Sequence, residues 1–474
     1  MKFIYKTLLF SLFTGLVFIS CDDFVEEVDI VDPVAEDGED YQPVDFVNGV
    51  YGMHTEFSYA FSYLGITDMI SDNSDKGSSP TDSGTDKRAL DELNFTSSSV
   101  SVTAMWTIWY KTIGRASQTI EIANTFEGQT AVPGARVIGE AKFLRALNYF
   151  WLVRSFGAIP IQEISLVERA PVEEVYEYIE QDLLDAIDAL PLKSEYANTE
   201  LGRATKGAAQ GLLAKVYLYQ EKWQEAADMA NTVITSNQYS LDPNYANVWR
   251  VTGENGPGSL FEIQARGEIP QHGVQQYSQV QGARGGDNGW GWGFNTPSQN
   301  LEDAFNEAGD DIRRDATIIF AGETLFDGRV VDAGVENPRY SEKAYSSANA
   351  GQSDGDKNIR VLRYAEVLLI RAEALNELGQ SSAALTPLNL VRTRVKLPAI
   401  TATDQAEVRQ AIWTERRLEL AMEHDRWFDL VRTGQAEAAM AADGKTFITG
   451  KHELFPIPNN QLVQTPEMVQ NPGY

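Results

Sequence analysis

The sequence predicts a mainly α-helical protein: a tetratricopeptide-like helical-repeat scaffold interrupted by long irregular loop inserts. Three observations predict it. Apolar residues recur at helical spacing through most of the chain. Two distant segments resemble each other, with alanines at matching places. Two stretches, 71–101 and 239–345, break the helical pattern and have compositions of their own.

The chain begins Met1-Lys2-Phe3-Ile4-Tyr5-Lys6, with two lysines and no acid, and continues as an apolar run from Leu8 to Ile19. A basic start, a short apolar run and a small residue before the break form the pattern of a secretory signal over 1–20. The run falls short of the roughly 20 apolar residues a bilayer crossing needs. Ser20 directly precedes Cys21, the one cysteine of 474 residues. This resembles a bacterial lipobox, which implies that Cys21 is lipidated and opens the mature chain. An ordinary signal peptide with a chance cysteine is the alternative. Residues 21–40 are acidic and without a helical stripe, as expected of a solvated tether. Acids just after the lipidated cysteine resemble the export mark of Bacteroidetes surface lipoproteins.

Residues 41–474 then read as one domain. Met105 to Phe126 predicts a helix carrying Trp106, Trp109, Tyr110, Ile113 and Ile120. Its partner, Ala141 to Phe156, sets Phe143, Leu144, Leu147, Phe150 and Trp151 on one face and can end at Gly157. Val172 to Leu190 predicts a third, between Pro171 and Pro191. The segment LLAKVYLYQEKWQEAADMAN aligns with LIRAEALNELGQSSAALTPLN. Ala214 and Ala226 correspond to Ala372 and Ala384, each pair twelve positions apart, a spacing that lets two antiparallel helices approach closely. Gly379 has no glycine counterpart; Glu221 stands there. The helix pairs span 105–156, 172–235 and 361–396, with a further helix near 405–432.

The net charge of -29 repels phosphate backbones and anionic head groups, so nucleic acid is not an expected partner and a neutral or mixed-charge ligand is. One cysteine excludes an intramolecular disulfide and a Cys-rich zinc site. Gly351-Gln352-Ser353-Asp354-Gly355 matches G-x-S-x-G but lacks the strand before and the helix after that a nucleophile elbow requires. Asp72 to Gly77 echoes a calcium loop, with Lys76 where an oxygen ligand belongs and Ser83 for the closing glutamate. The histidines, His54, His272, His424 and His452, show no H-E-x-x-H spacing, and Gly444-Lys445-Thr446 lacks the earlier glycine of a P-loop. Glu419 and Glu423 lie one helical turn apart among Arg416, Arg417 and Arg426, so they read as an ion-pair network rather than as carboxylates flanking a sugar. No catalytic residue, metal ligand or cofactor is expected.

The segment RGGDNGWGWGFNTPSQ alternates Trp290 and Trp292 with Gly289, Gly291 and Gly293. In an extended backbone residues two apart share a side, and the glycines would leave both indole faces uncovered. Sugar rings present apolar C–H faces that stack on such rings. Arg284, Asp287 and Asn288 are adjacent, and Tyr277 lies upstream. The alternative is that the tryptophans fold back and anchor a glycine-rich loop on the core.

Several segments together resemble the RagB/SusD family of outer-membrane lipoproteins. They are AKFLRALNYFWLVRSFGAIPI at 141–161, the hairpin from Ala204 to Ile234, and NIRVLRYAEVLLIRAEALNELG at 358–379. ERRLELAMEHDRWFDLVRTG at 415–434 and the ending LFPIPNNQLVQTPEMVQNPGY also fit. The resemblance implies a SusD-like fold, a lipid anchor at Cys21 in the outer membrane facing outside, and a SusC-like TonB-dependent transporter as partner, over which the protein sits as a hinged lid. It implies non-catalytic capture of a glycan, an oligo- or polysaccharide; some members take peptides, which this sequence leaves open. One departure bears on specificity. The starch-binding prototype draws part of an aromatic arc from the first insert, where this chain has only Phe95. Trp290 and Trp292 would then carry the stacking, with Asp72 or Asn73 supplying polar contacts.

Overall fold

In the computed structural model residues 41–56, 59–265, 275–347 and 356–474 are described. The signal-like segment, Cys21, the whole acidic tether, the G-x-S-x-G match and His272 lie outside them. Residues Pro43–Tyr474 form one compact unit.

Helices α1 (Pro43–Gly52) and α2 (Tyr59–Leu64) lead through a π-helical turn at 65–69 to β1 (Ser74–Gly77) and α3 (Thr85–Asp91). The long pair follows, α4 (Val100–Thr125) and α5 (Gly134–Phe156). α4 starts five residues before the expected Met105, because Ser99 caps it by accepting from the Val102 N–H. Gly157 ends α5 with φ +73°, a backbone that glycine adopts freely. Trp106, Trp109, Phe143, Phe150 and Trp151 are all buried, each ring worth roughly 1.5–3 kcal/mol of apolar burial.

α6 (Val172–Ala189), α7 (Lys206–Tyr219) and α8 (Trp223–Thr235) continue the array, each packed on the helix before it. The second insert then leaves the array and supplies β2 (Ser259–Ile263), α9 (Gln275–Gln281), β3 (Phe294–Pro297), α10 (Gln299–Ala308), α11 (Asp311–Asp315), β4 (Ile318–Phe320) and β5 (Arg339–Ser341). β6 (Ile359–Arg363) runs directly into α12 (Tyr364–Glu377), which packs against α8, and α13 (Ser381–Arg394) folds back on α12. Ala214, Ala226, Ala372 and Ala384 are all fully buried. The strands pair in antiparallel twos, β1 with β3, β2 with β6 and β4 with β5. The expected strand at 259–263 is β2. The polar first insert is not a bare loop: it contains β1 and α3.

The single helix expected near 405–432 is two, α14 (Gln405–Glu419) and α15 (Arg426–Arg432). Met422 (φ +59°) and His424 (φ +74°) turn the chain between them. Buried ion pairs determine that turn. Glu419 accepts from Arg313 and Arg363, each at 3.0 Å, and from Arg394; Glu423 accepts from the same Arg363 and from Lys343, each at 2.6 Å. Although burial opposes its charge, the surrounding guanidinium groups hold the Glu419 carboxyl well below the usual range. The network joins α14 to β6, α11 and α13, as a structural ion-pair reading requires.

Candidate functional site

The two inserts, far apart in sequence, are stitched together by β1 and β3. Their register sets Ser74 opposite Pro297, Asp75 opposite Thr296 and Gly77 opposite Phe294. Gly77 (φ +67°) is required there, because a Cβ would lie 2.4 Å from the Gly293 carbonyl oxygen. The adjacent Ser78 N–H donates to that same oxygen. Beneath the ladder, Asn295 accepts from the Ser74 hydroxyl at 2.6 Å and donates to Asp68 at 3.1 Å and Gln281 at 2.9 Å. The His424 N–H donates to the other Asp68 oxygen at 3.1 Å, so the turn between α14 and α15 supports the floor of the site.

The glycine-tryptophan segment is not extended. Trp290 and Gly291 donate their N–H groups to the Ala283 carbonyl at 2.9 and 3.0 Å, Trp292 donates to Gln279 at 2.8 Å, and Gly293 to Gly282 at 2.9 Å. Carbonyl oxygens at and just beyond the end of α9 are thereby satisfied by a chain that folds over it. Gly291 permits the close approach: a Cβ would meet the Gly282 Cα at 2.4 Å. Residues two apart therefore do not share a side, and the expectation of two uncovered indoles is corrected. Trp290 is only 3 % exposed, packed among Ala283, Ile319, Leu325, Val331, Tyr340 and Tyr345, with the Arg329 guanidinium 4.3 Å from a ring centroid. Trp292 is half-buried, edge-to-face with Phe61 at 5.9 Å. Phe61 in turn packs on Phe294 at 4.9 Å and lies under the Lys87 ammonium at 4.1 Å.

The polar residues divide between surface and interior. Arg284 donates to the Ser78 hydroxyl at 3.1 Å and to Glu336 at 3.2 Å. Asp287 and Asn288 are exposed; the Asp287 N–H donates to Asp332 at 2.9 Å and the Asn288 carbonyl accepts from Arg329 at 3.2 Å. Arg284 lies at the junction next to Trp292, while Asp287 and Asn288 are tied to Asp332 and Arg329. Tyr277, Asp72 and Asn73 do not reach the surface. Tyr277 is buried edge-on against His424 at 5.7 Å, and burial pushes its hydroxyl pKa up. Asp72 accepts from Arg426 and Arg417, and Asn73 accepts from Arg417 at 2.9 Å; both are buried and engaged within the protein. The expected ligand contact from either one is replaced by an anchor for the first insert. Sequence reasoning missed Phe61 and Ser78, because nothing in the local pattern indicates that α2 and the first insert converge on Trp292.

The calcium-like loop is filled by its own lysine. The Lys76 ammonium donates to the Gly77 carbonyl at 3.0 Å, the Ser79 carbonyl at 3.2 Å and Asp82 at 2.8 Å. Among the described residues, no three His, Cys, Asp or Glu side chains converge as a metal site. Nor, among them, is any helix long and apolar enough to cross a membrane.

Comparison with known proteins places this geometry. Residues 326–474 match the family model described as SusD family, and residues 53–218 the one described as starch-binding associating with outer membrane. SusD-like protein P2 of Formosa agariphila is 32 % identical over 90 % of this chain and 91 % of its own. Starch-binding protein SusD of Bacteroides thetaiotaomicron is 27 % identical over 73 % of this chain and 74 % of its own. Among solved structures, a laminarin binding SusD-like protein superposes with a TM-score of 0.77 at 28 % identity, covering 91 % of this chain and 99 % of that one.

Proposed function

The chain belongs to the SusD family, and from that premise we propose that it is a surface lipoprotein that captures an oligo- or polysaccharide and passes it, unaltered, to a SusC-like TonB-dependent transporter. The observation that carries this reading is the surface where the two inserts meet. There Trp292 offers a partly open indole at the junction that Arg284 joins to Ser78, and the exposed Asp287 and Asn288 follow Arg284 in the chain. A ring for the apolar face of a sugar, next to groups that hydrogen-bond its hydroxyls, suits a glycan. The laminarin-binding and starch-binding relatives support the same ligand class. The net charge of -29 favours a neutral glycan over a polyanion. Lipidation at Cys21 would hold the protein at the outer leaflet through buried methylenes, at about 0.8 kcal/mol each.

The test is native affinity electrophoresis of the detergent-solubilised chain against laminarin, starch, xylan and alginate, beside Trp292→Ala. Retardation by one polysaccharide, lost in the variant while it keeps a cooperative unfolding transition well above the gel temperature, supports capture at this surface. Absence of retardation by all four counts against glycan capture and favours a peptide ligand. Co-purification of the transporter with the wild-type chain tests the partnership separately.

A further inference from the structure

Trp290 and Tyr345 lead outward to an aromatic ring that the sequence pattern did not single out. Phe326 sits at the tip of a β-hairpin whose arms pair at Thr324 and Val330, with Gly328 (φ +89°) in the turn. Phe326 is 53 % exposed. One face of its ring is covered by the Arg250 guanidinium, 3.5 Å from the ring centroid. Tyr345 meets the ring edge-on at 5.7 Å, and Tyr345 itself packs on Trp290 at 5.5 Å. Arg250 and Tyr345 both pack on this ring, and Phe326 still remains more than half exposed.

The supports of this ring are fixed from below. Glu342, nearly buried, accepts from Arg250 at 2.7 Å. Asp327 accepts from the Tyr345 hydroxyl at 2.6 Å and from the Arg329 N–H at 3.1 Å, which holds a carboxylate beside the ring. A flat apolar ring packed on Arg250 and Tyr345, beside an acceptor that two hydrogen bonds hold, binds with less ordering cost than an unsupported ring. A protein-docking patch is depleted of charge at its centre. Here charge stands at the ring itself, in Arg250, and next to it in Asp327. On the tip, Val330 is exposed while Leu325 is buried.

The hairpin also borders the surface already described. Gly285 bridges to Val335, Asp287 bonds Asp332, and Asn288 accepts from Arg329. Polar contacts thus run continuously from Arg284 beside Trp292 to the hairpin that carries Phe326. We propose that Phe326 is a second sugar-stacking subsite, taking a pyranose ring of the same glycan chain that Trp292 contacts. It rests on the glycan reading above.

The experiment compares the detergent-solubilised wild type with Phe326→Leu, Phe326→Tyr, Trp292→Ala and the Trp292→Ala/Phe326→Leu pair, using laminarin, starch, xylan and alginate in affinity gels. Leucine keeps apolar bulk and removes the flat ring; tyrosine keeps the ring. Stacking on an aromatic ring predicts binding about three- to tenfold weaker in Phe326→Leu and unchanged in Phe326→Tyr. The pair should lose the product of the two single factors, since the side chains share no contact. Equal melting temperatures exclude misfolding at this exposed tip. Binding that is the same in wild type and Phe326→Leu overturns the subsite and leaves the glycan reading standing. Failure of wild type to bind any of the four overturns both.

Discussion

Asp72 accepts two hydrogen bonds from Arg426, from Nε and Nη2 at 2.7 Å each, across 354 positions of sequence. This fork fixes the start of the first insert to the first turn of α15, and Arg417 adds a contact at 3.3 Å from α14. The insert that carries Ser78 to the candidate surface is thus positioned by ion pairing from below. Removing one partner of a buried pair leaves the other charge uncompensated, at a cost of about 3–5 kcal/mol. Asp72→Ala should therefore lower stability by about 3 kcal/mol, read from urea unfolding. The two guanidinium groups depress the Asp72 pKa against its burial. A depressed carboxylate contributes its stability above the unfolded value near 3.9, and loses it as pH falls through the folded value. The difference between wild type and Asp72→Ala should consequently be constant from pH 5 to 8 and shrink only in acid. A difference that changed between pH 6 and 8 would refute this assignment.

Trp290 and Trp292 should separate cleanly in unfolding experiments. Trp290 is enclosed by the core of the second insert, so Trp290→Ala opens a cavity and should cost about 3–5 kcal/mol. Trp292 loses chiefly its edge contact with Phe61, worth about 1 kcal/mol. Equal losses in the two variants would contradict the different burial of the two rings.

How these tryptophans lie was the least legible part of the chain. The long helices followed from apolar spacing, because α4 to α8 each bury a continuous stripe. The carboxylates and arginines of α14 and α15 read correctly as a network, since residues one turn apart must face common partners. The glycine-rich segment has no period to read. Its path is decided by carbonyls at and just beyond the end of α9 that accept from Trp290 to Gly293, and nothing in the segment itself announces them. The break between α14 and α15 was hidden for a similar reason: Met422 and His424 take positive φ without glycine or proline. Phe326 did leave a signal. Asp327-Gly328 is a hairpin dipeptide, and reading it would have set the preceding phenylalanine at a turn.

Glu221 and Gly379 stand at matching places in the two alanine-spaced hairpins, and both are left-handed, with φ +57° and +75°. The missing glycine is therefore a difference of sequence and not of conformation. A side chain at this backbone costs about 1–2 kcal/mol, partly offset by the roughly 0.5–1 kcal/mol that glycine loses in chain entropy. Glu221→Gly should stabilise the chain by about 0.5–1 kcal/mol. A higher urea midpoint at unchanged slope is the expected result, and a lower one would show that the Glu221 side chain contributes more than its backbone strain.

Burial pushes the carboxyl of Glu342, the residue that holds Arg250 under Phe326, up to about 7 despite the arginine. The folded state then binds more protons than the unfolded state between the ordinary carboxylate value near 4.3 and about 7. Stability from this group is greatest at low pH and falls as pH rises through that window, then levels off. The full displacement corresponds to about 3–4 kcal/mol at 1.36 kcal/mol per decade. Glu342→Gln imitates the protonated form, so it should match wild type near pH 5 and exceed its stability by up to about 3–4 kcal/mol at pH 8. Glu254, also raised to about 7 by burial, is unaltered in this variant and supplies the same slope to both chains. Unfolding curves for the two proteins at pH 5, 6.5 and 8 decide the matter: parallel pH dependence would mean that Glu342 is ionised throughout, and that its ion pair with Arg250 outweighs its burial.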